Sequence, residues 1–165
     1  MHINFFLLIT LLYSCATTSP LKPIKAEGYN KKIKDVLILT TFEVVPEVYE
    51  NDLVLELRKQ FSNDNIKNSN FSYGKMALNK DEKLNKKMSE FKPKYVMEIN
   101  ETVKRSGSYG TSIRYLIKLT DIMEKSEVWQ LDVWGAGDPK QFGKDIYLAL
   151  MKSNMINAVE NKENK

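Results

Sequence analysis

The stretch DVLILTTF, residues 35–42, decides the fold that we predict for this chain of 165 residues. Its apolar side chains follow one another almost without interruption, which is typical of a strand covered on both faces in a parallel sheet. Pro46 then opens a helical pattern, in which Leu53, Leu57 and Phe61 recur at every fourth position. A buried strand followed directly by an amphipathic helix predicts a β-α unit.

A second β-α unit and a third strand follow in the sequence. Residues 66–74 form a weaker strand, and Asn79 with Glu82 three positions later has the spacing of a capping box at a helix start. Pro93 ends this helix, and residues 95–99 form the third strand. Because each helix connects two successive strands, these strands are predicted to build the parallel part of a sheet.

The pattern then changes to a period of two. After a loop over residues 104–110, apolar and polar side chains alternate over residues 113–120. This alternation is typical of an antiparallel strand with one face in water. Residues 121–126 form a hairpin turn, and residues 127–134 return as the fifth strand.

The last helix begins at Asp138, a good N-cap residue before Pro139 at the first helical position, and Gln141 is placed to complete a capping box. The chain is therefore predicted to be a single α/β domain over residues 35–156, with helices packed on a mixed five-stranded sheet. The predicted order of elements is β-α-β-α-β-β-β-α. Residues 157–165 form a disordered tail.

An apolar segment lies at the start of the chain. Residues 3–12 are apolar apart from Asn4 and Thr10, and this run is too short to span a bilayer as a helix, which needs about 20 residues. The length fits the apolar region of a secretory signal peptide. The run ends shortly before Cys15, the single cysteine of the chain.

Leu12, Ser14 and Cys15 resemble the lipobox, the cleavage and lipidation motif of bacterial lipoprotein signal peptides. The motif places Leu three positions before the cysteine and a small residue directly before it. The resemblance implies that residues 1–14 are removed and that Cys15 becomes a lipidated N-terminus held on a membrane. Ala16 follows where this family often has Asp for inner-membrane retention, which favours the outer membrane. Two alternatives remain open: an uncleaved anchor helix, or cleavage elsewhere that leaves a free thiol.

A basic segment connects Cys15 to the first predicted strand. Residues 15–34 contain Pro20, Pro23 and Gly28 and show no apolar periodicity. We therefore predict a lipidated cysteine followed by a flexible tether. The lysines of this tether are either simply solvated or close to acidic lipid head groups.

The inventory of reactive side chains excludes several classes of enzyme. The single histidine, His2, lies in the predicted signal peptide, and Cys15 would be acylated. The mature chain would then lack the groups for Ser-His-Asp or Cys-His catalysis, for a His-ligated zinc and for thiol redox chemistry. We predict a protein that is not an enzyme and has no catalytic residue, cofactor or metal site.

Carboxylate pairs are the remaining catalytic candidates. They are Glu98 with Glu101 near the end of the third strand, and Asp121 with Asp132 beside the hairpin. Acid–base chemistry needs two such groups a few ångströms apart with separated pKa values. Spacing in sequence does not establish that distance, and we predict that all four are solvated or turn residues.

Two ligand classes find little support in the sequence. Residues 135–140 place glycines before a helix, as in a phosphate-binding loop, but Asp138 would occupy the helix amides and repel a phosphate, so we predict a structural turn. The net charge of +4 comes almost wholly from lysines, since the arginines are Arg58, Arg105 and Arg114 alone. Base-reading sites usually draw on arginine, and we predict no nucleic-acid partner.

The hairpin carries a second resemblance. A strand over residues 115–121 ends in Asp121, and after a short turn the chain returns through Val128 and Trp129. This pattern is similar to that in α/β domains of the CsgG, LpoB and TolB amino-terminal type, over roughly residues 35–156. The resemblance implies architecture rather than activity, and such domains act as assembly or recognition modules.

Two regions are candidates for contact with a partner. One is the loop with Lys104, Arg105 and Tyr109, and the other is Trp134, on the opposite strand face from the core residue Trp129. The sequence thus predicts a membrane-anchored, non-enzymatic envelope lipoprotein that binds or assembles with an envelope protein. The alternatives are a small-ligand or lipid-binding domain with an apolar pocket beneath the last helix and, third, a carboxylate-dependent hydrolase.

Overall fold

The computed structural model describes residues 22–73, 79–107, 110–134 and 137–157. Six strands and three helices lie in these ranges, and none of the helices is long and apolar enough to cross a membrane. In chain order they are β1 (Ile24–Lys25), β2 (Asp35–Thr41), α1 (Glu47–Asn63), β3 (Lys67–Ser72), α2 (Lys80–Phe91), β4 (Tyr95–Gly107), β5 (Gly110–Asp121), β6 (Ser126–Trp134) and α3 (Pro139–Lys152). The predicted signal peptide, Cys15, Tyr109 and residues 158–165 lie outside the described ranges.

The strands form one mixed sheet in the order β1-β6-β5-β4-β2-β3. The apolar strand β2 pairs in parallel with β3 on one side and with β4 on the other. The pairs β4–β5, β5–β6 and β1–β6 are antiparallel. This arrangement confirms the predicted α/β class and the burial of the 35–42 stretch, in which residues 36–40 are buried.

The predicted five strands and their order are wrong because a short strand, β1, precedes the others. Ile24 pairs with Gln130 and Lys25 with Trp129, so β1 extends the sheet beyond β6. Tyr29 and Ile33 behind it are buried in the main core. Residues 22–34 therefore belong to the folded domain and differ from the flexible tether that we predicted. Two isolated apolar anchors create no periodicity, so no sequence pattern indicated their burial.

The main hydrophobic core lies between one face of the sheet and the helices α1 and α3. Trp129 is buried there, as predicted, and its indole N–H donates to the Ser153 hydroxyl at 2.9 Å. On the other face, α2 packs against a smaller cluster centred on Leu37, Leu39 and Val96. None of the α2 residues is fully buried, so this helix contributes less apolar burial than the other two.

The helices α1 and α3 approach each other closely at Gly143. A Cβ atom at this position would lie 3.1 Å from the Leu53 carbonyl oxygen and 3.2 Å from the Glu56 Cβ. A backbone carbonyl moves only with its helix, so a side chain here would push the two helices apart.

We expect Gly143→Leu to lower the free energy of unfolding by about 1–3 kcal/mol, which is the usual range for overpacking a filled interior. The matched control is Lys144→Leu, because Lys144 is the next residue and is exposed; surface changes of this kind usually stay within about 0.5 kcal/mol. Urea unfolding of both variants measures the difference. Equal midpoints for the two variants would show that the helices do not meet at this glycine.

The two helix starts predicted from capping patterns differ in outcome. Asp138 caps α3 as predicted, since its carboxylate accepts from the amides of Lys140 at 3.3 Å and Gln141 at 3.2 Å. Gln141 does not complete a capping box, because its side chain donates to Asp145. The capping box at Asn79 is wrong: this residue has a left-handed backbone (φ 59°) and makes no side-chain cap bond.

The predicted loop over residues 104–110 is largely strand. β4 and β5 stay paired up to Gly107 and Gly110, whereas β2 is paired with β4 only as far as Asn100, and β6 with β5 only as far as Arg114. The two strands therefore continue beyond the rest of the sheet as a two-stranded ribbon. This ribbon is held by main-chain pairing, which does not require a pattern of apolar side chains. Its polar, glycine-containing sequence therefore resembled a loop.

Candidate functional site

In an α/β sheet, ligands usually bind at the carboxyl ends of the parallel strands. Here that edge holds Glu101, which lies on β4 just beyond its last pairing with β2. Its carboxylate accepts three hydrogen bonds, each of 2.9 Å, from the consecutive amides of Glu43, Val44 and Val45. These amides lie in the turn from β2 to α1, where an anion would bind in a phosphate-binding protein. The chain's own carboxylate occupies the position.

Removing this carboxylate leaves three amides without their acceptor. We expect Glu101→Ala to lower the free energy of unfolding by about 2 kcal/mol, because bonds to a charged acceptor are stronger than neutral ones and Glu101 is half-buried. Glu43→Ala serves as the control, since the Glu43 side chain is exposed on the same turn and we expect a change within about 0.5 kcal/mol. Thermal unfolding compares the two, and an equal loss in both would contradict the assigned role of Glu101.

A second carboxylate at this edge is buried and bonded to hydroxyl groups. Glu50 of α1 is 8% exposed, and its Oε1 accepts from the hydroxyls of Thr40 on β2 and Ser72 on β3. A buried carboxylate needs such partners to offset the loss of water. The bonds tie the start of α1 to the two parallel strands, which indicates a structural role.

Two tyrosines complete this edge. Burial raises the pKa of Tyr49 to about 12. Burial, followed by the neighbouring Tyr49, raises the pKa of Tyr115 far above its ordinary value. The Tyr115 ring also contacts Phe42 and Phe142, with ring centroids 5.7 Å and 5.1 Å away. Both phenols therefore stay neutral at physiological pH and cannot serve as bases there.

The four carboxylates considered as catalytic candidates have separate environments. Glu98 is half-buried on β4 opposite Lys118 of β5, and Glu101 holds the β2–α1 turn. Asp132 pairs with Arg114, and Asp121 lies at the opposite end of the sheet. Asp121 is 3% exposed, so it is not solvated, but it is a turn residue as predicted, since it accepts from the amides of Met123 and Glu124. Within the described ranges, no group of three His, Cys, Asp or Glu residues could hold a metal ion.

Asp121 joins the N-terminal segment to the sheet through a polar cluster that we call the latch. Its Oδ2 accepts from the Tyr29 hydroxyl at 2.7 Å, and Tyr29 also bonds to the Tyr95 hydroxyl at 2.8 Å. The Oδ1 atom accepts from the amides of Met123 at 2.9 Å and Glu124 at 3.1 Å. The aspartate at the end of the strand thus shapes the hairpin turn and fixes the segment before β2.

The pKa of Asp121 reflects opposing effects. Burial alone would raise it, but the hydrogen bonds from Tyr29 and from the two turn amides, with the nearby Lys31 ammonium, lower it below the ordinary aspartate value. For Tyr29 all the effects act in the same direction: burial, and then the bonds with Tyr95 and Asp121, raise its pKa. The latch therefore contains an ionised carboxylate and neutral phenols at neutral pH.

The predicted contact residues do not form one surface. Lys104 is exposed on the β4 ribbon opposite Ile113, which packs against the main core. Arg105 pairs with Ser112 within the same ribbon. Trp134 lies at the end of β6 and pairs with Arg114, on the other face of the sheet from Lys104. Lys104 and Trp134 therefore lie on opposite faces of the sheet.

Sequence reasoning missed the composition of the sheet surface on the side of Trp134. The alternation along β5 correctly predicted a wet face with Arg114 and Lys118. It did not show that Val103 of β4 is placed on that face by the irregularity between Glu101 and Val103. Nor could it show that Ile24 of β1 lies on this same face, next to its pairing partner Gln130, because a two-residue strand has no detectable period.

The alternative of a small-ligand domain required an apolar pocket beneath the last helix. In the described part of the chain, the α3 residues that face the sheet, including Phe142, Ile146 and Leu150, are buried in the continuous core. A depression of about 500 Å³ lies instead between α1 and α3, where polar residues such as Asp64 and Lys144 border it together with Tyr147, Leu148 and Met151. This location differs from the predicted pocket.

Comparisons with known proteins give structural matches only. No family model matches the sequence, and no curated protein matches it. PelC from Paraburkholderia phytofirmans, solved as a dodecamer, superimposes with a TM-score of 0.50 at 12% identity, over 84% of this chain and 98% of PelC. Lipoprotein GNA1162 from Neisseria meningitidis gives 0.43 at 11% identity, over 73% and 96% of the two chains. TolB from Acinetobacter baumannii gives 0.37 at 16% identity, over 80% and 31%.

At these identities the match to PelC establishes a shared fold and nothing more. It agrees with the predicted α/β class, and almost the whole of PelC is covered, so this chain contains a complete domain of that type. The other two scores are too low to carry an argument.

Proposed function

We propose that this chain is a membrane-anchored lipoprotein of the cell envelope, whose α/β domain acts as a non-enzymatic binding or assembly module. The anchor rests on the lipobox-like residues Leu12, Ser14 and Cys15. The observation that carries the non-enzymatic role is the carboxyl edge of the parallel strands, where Glu101 occupies three turn amides. A position that commonly receives a ligand is thus used to hold the fold together.

The form of assembly that we propose is association with further copies of the same chain. PelC, which shares the fold over 98% of its length, is a dodecamer in its crystals. A protein attached to a membrane by its N-terminus is confined to two dimensions, which raises the effective concentration of neighbouring copies. Of the two membranes of an envelope, Ala16 after the cysteine favours the outer one.

Crosslinking in intact cells tests this function. Two full-length copies with different C-terminal tags are expressed together, and the lysines of the domain are crosslinked before lysis. We expect both tags in one membrane-associated complex, with bands at multiples of the mass of the chain. A protein that stays monomeric in membranes at every expression level, without a crosslinked partner, would contradict the assembly role.

A further inference from the structure

One half of the sheet has a face that no helix in the described ranges covers. It is formed by β4, β5, β6 and β1 on the side opposite α1 and α3. The helix on this side, α2, packs against the cluster of Leu37, Leu39 and Val96 nearer to β3. We call the uncovered surface the open face.

Three exposed apolar side chains, those of Ile24, Val103 and Trp134, lie on the open face. Val103, Arg114 and Trp134 lie directly opposite one another on β4, β5 and β6, so their Cα atoms form a row about 10 Å long. Val103 is 38% and Trp134 40% exposed, and the Arg114 guanidinium lies 5.9 Å from the centre of the Trp134 ring. Ile24, at 67% exposed, extends the same face at β1.

The charges on the open face are largely paired with one another. Arg114 Nε donates to the Asp132 carboxylate at 2.6 Å, and Lys118 lies 2.7 Å from the Glu127 carboxylate. Moving a charged side chain towards a less polar surface costs solvation free energy, and this cost is smaller for a paired charge than for an isolated one. The face therefore combines apolar side chains, a tryptophan and nearly compensated charge.

The chain leaves the described domain at the β1 edge of the sheet, next to β6. Lys22 is two residues before Ile24, and Cys15 is seven residues before Lys22. A chain spans at most about 3.6 Å per residue, so the Cα atoms of Cys15 and Lys22 are at most about 25 Å apart in any conformation. A lipid on Cys15 would hold the β1–β6 side of the sheet within that distance of the bilayer.

We propose that the open face rests on the head-group region of the membrane to which Cys15 anchors the chain. This inference depends on the proposed lipid anchor. Tryptophan is enriched at the level of the head groups, where its amphipathic ring meets both lipid and water. Arginine can pair there with the phosphate groups of the lipids. A second copy of the chain could cover the same face, but the short connection from Cys15 favours lipid, because it keeps the bilayer close to the β1–β6 edge, where Ile24 and Trp134 of this face lie.

Fluorescence quenching by brominated lipid tests the orientation. The full-length protein is purified from membranes and reconstituted into vesicles of phosphatidylcholine, with or without bromine on the acyl chains. The chain has two tryptophans, and Trp129 is buried in the core. In vesicles that float with bound protein, we expect roughly a twofold loss of Trp134 emission in brominated lipid, as for a ring at the membrane interface.

Two variants make the result specific. Trp134→Phe leaves only Trp129, whose emission should be equal in both kinds of vesicle. Adding Leu55→Trp to that variant places a tryptophan on an exposed position of α1, on the far side of the sheet, and it too should remain unquenched. High salt should leave the Trp134 signal unchanged, because paired charges contribute little net attraction to the lipid.

The outcomes separate this inference from the anchor on which it rests. Protein that floats with the vesicles but shows no Trp134 quenching overturns the membrane-facing orientation and leaves the anchor intact. Tag-to-tag crosslinks through the open face, with Trp134 unquenched, would assign that face to a second copy. Protein that fails to float overturns both proposals, whereas quenching of the α1 tryptophan would show that the opposite face meets the lipid.

Discussion

Replacing Cys15 with Ala transfers the protein from the membrane to the soluble envelope fraction, and this is the largest change that we expect from any single substitution. Each CH₂ group of an acyl chain that enters the bilayer contributes about 0.8 kcal/mol, so two or three chains hold a protein stably where one does not. The apolar run of residues 3–12 is too short to span a bilayer as a helix, which needs about 20 residues. Detergent-phase partitioning measures the transfer.

The control for this substitution is Ser14→Ala. It keeps a small residue directly before the cysteine, as the lipobox requires, so processing and membrane attachment should match those of the wild type. A Cys15→Ala protein that partitions into detergent as the wild type does would show that a lipid on this residue is not the anchor.

The second large effect concerns the latch, where we expect Asp121→Ala to lower the free energy of unfolding by about 3 kcal/mol. The substitution leaves the Tyr29 hydroxyl and two turn amides without their acceptor, and each buried unsatisfied group costs about 1–3 kcal/mol. Asp132→Ala is the matched control, because Asp132 belongs to an exposed pair with Arg114, and such pairs contribute about 0–1 kcal/mol. Urea unfolding compares the variants, and similar losses in both would contradict the latch.

The same carboxylate makes stability depend on pH in a defined direction. Its pKa in the folded protein is lower than the ordinary value, which for an unfolded chain is about 3.9. The folded state therefore binds fewer protons than the unfolded state. The contribution of Asp121 to the free energy of unfolding is fully present above about pH 4 and is lost as the pH falls through the folded pKa.

The neutral isostere Asp121→Asn separates this contribution from other acid effects. We expect the difference in urea midpoint between wild type and Asp121→Asn to be constant near neutrality and to shrink below about pH 4. A difference that keeps its size down to pH 2 would show that ionisation of Asp121 is not what stabilises the latch.

The elements with a strong local pattern were predictable from the sequence. The apolar run of β2, the four-residue period of α1 and the alternation of β5 each come from neighbours along the chain. The start of α3 was predictable for the same reason, because Asp138 bonds to amides only two and three residues away. In each case the side chains that define the element lie within a few positions of one another.

The N-terminal segment was not predictable because its contacts are distant in sequence. Tyr29 bonds to residues 66 and 92 positions away, and β1 pairs with residues about a hundred positions later. Pro23 and Gly28 together with several lysines indicated a tether, although a few buried anchors are enough to hold such a segment. The tethering chain is therefore shorter than the sequence suggested.

The candidate site was likewise predictable only in part. The position of Glu101 just after the predicted third strand placed it near a strand end. Only the folded chain shows that the β2–α1 turn presents three amides to it. The strand-ending aspartate was visible as a motif, whereas its burial and its bond to Tyr29 depend on a segment with no pattern of its own. The motif is thus explained by architecture, because Asp121, Val128 and Trp129 are all buried.

Mass spectrometry of the N-terminal peptide, taken from protein purified from membranes, tests the central claim most directly. We predict that the mature chain begins at Cys15, that this residue carries acyl chains, and that no peptide from residues 1–14 is present. A chain that retains Met1, or one whose Cys15 is recovered as a free thiol, would contradict the account of a lipid-anchored envelope protein.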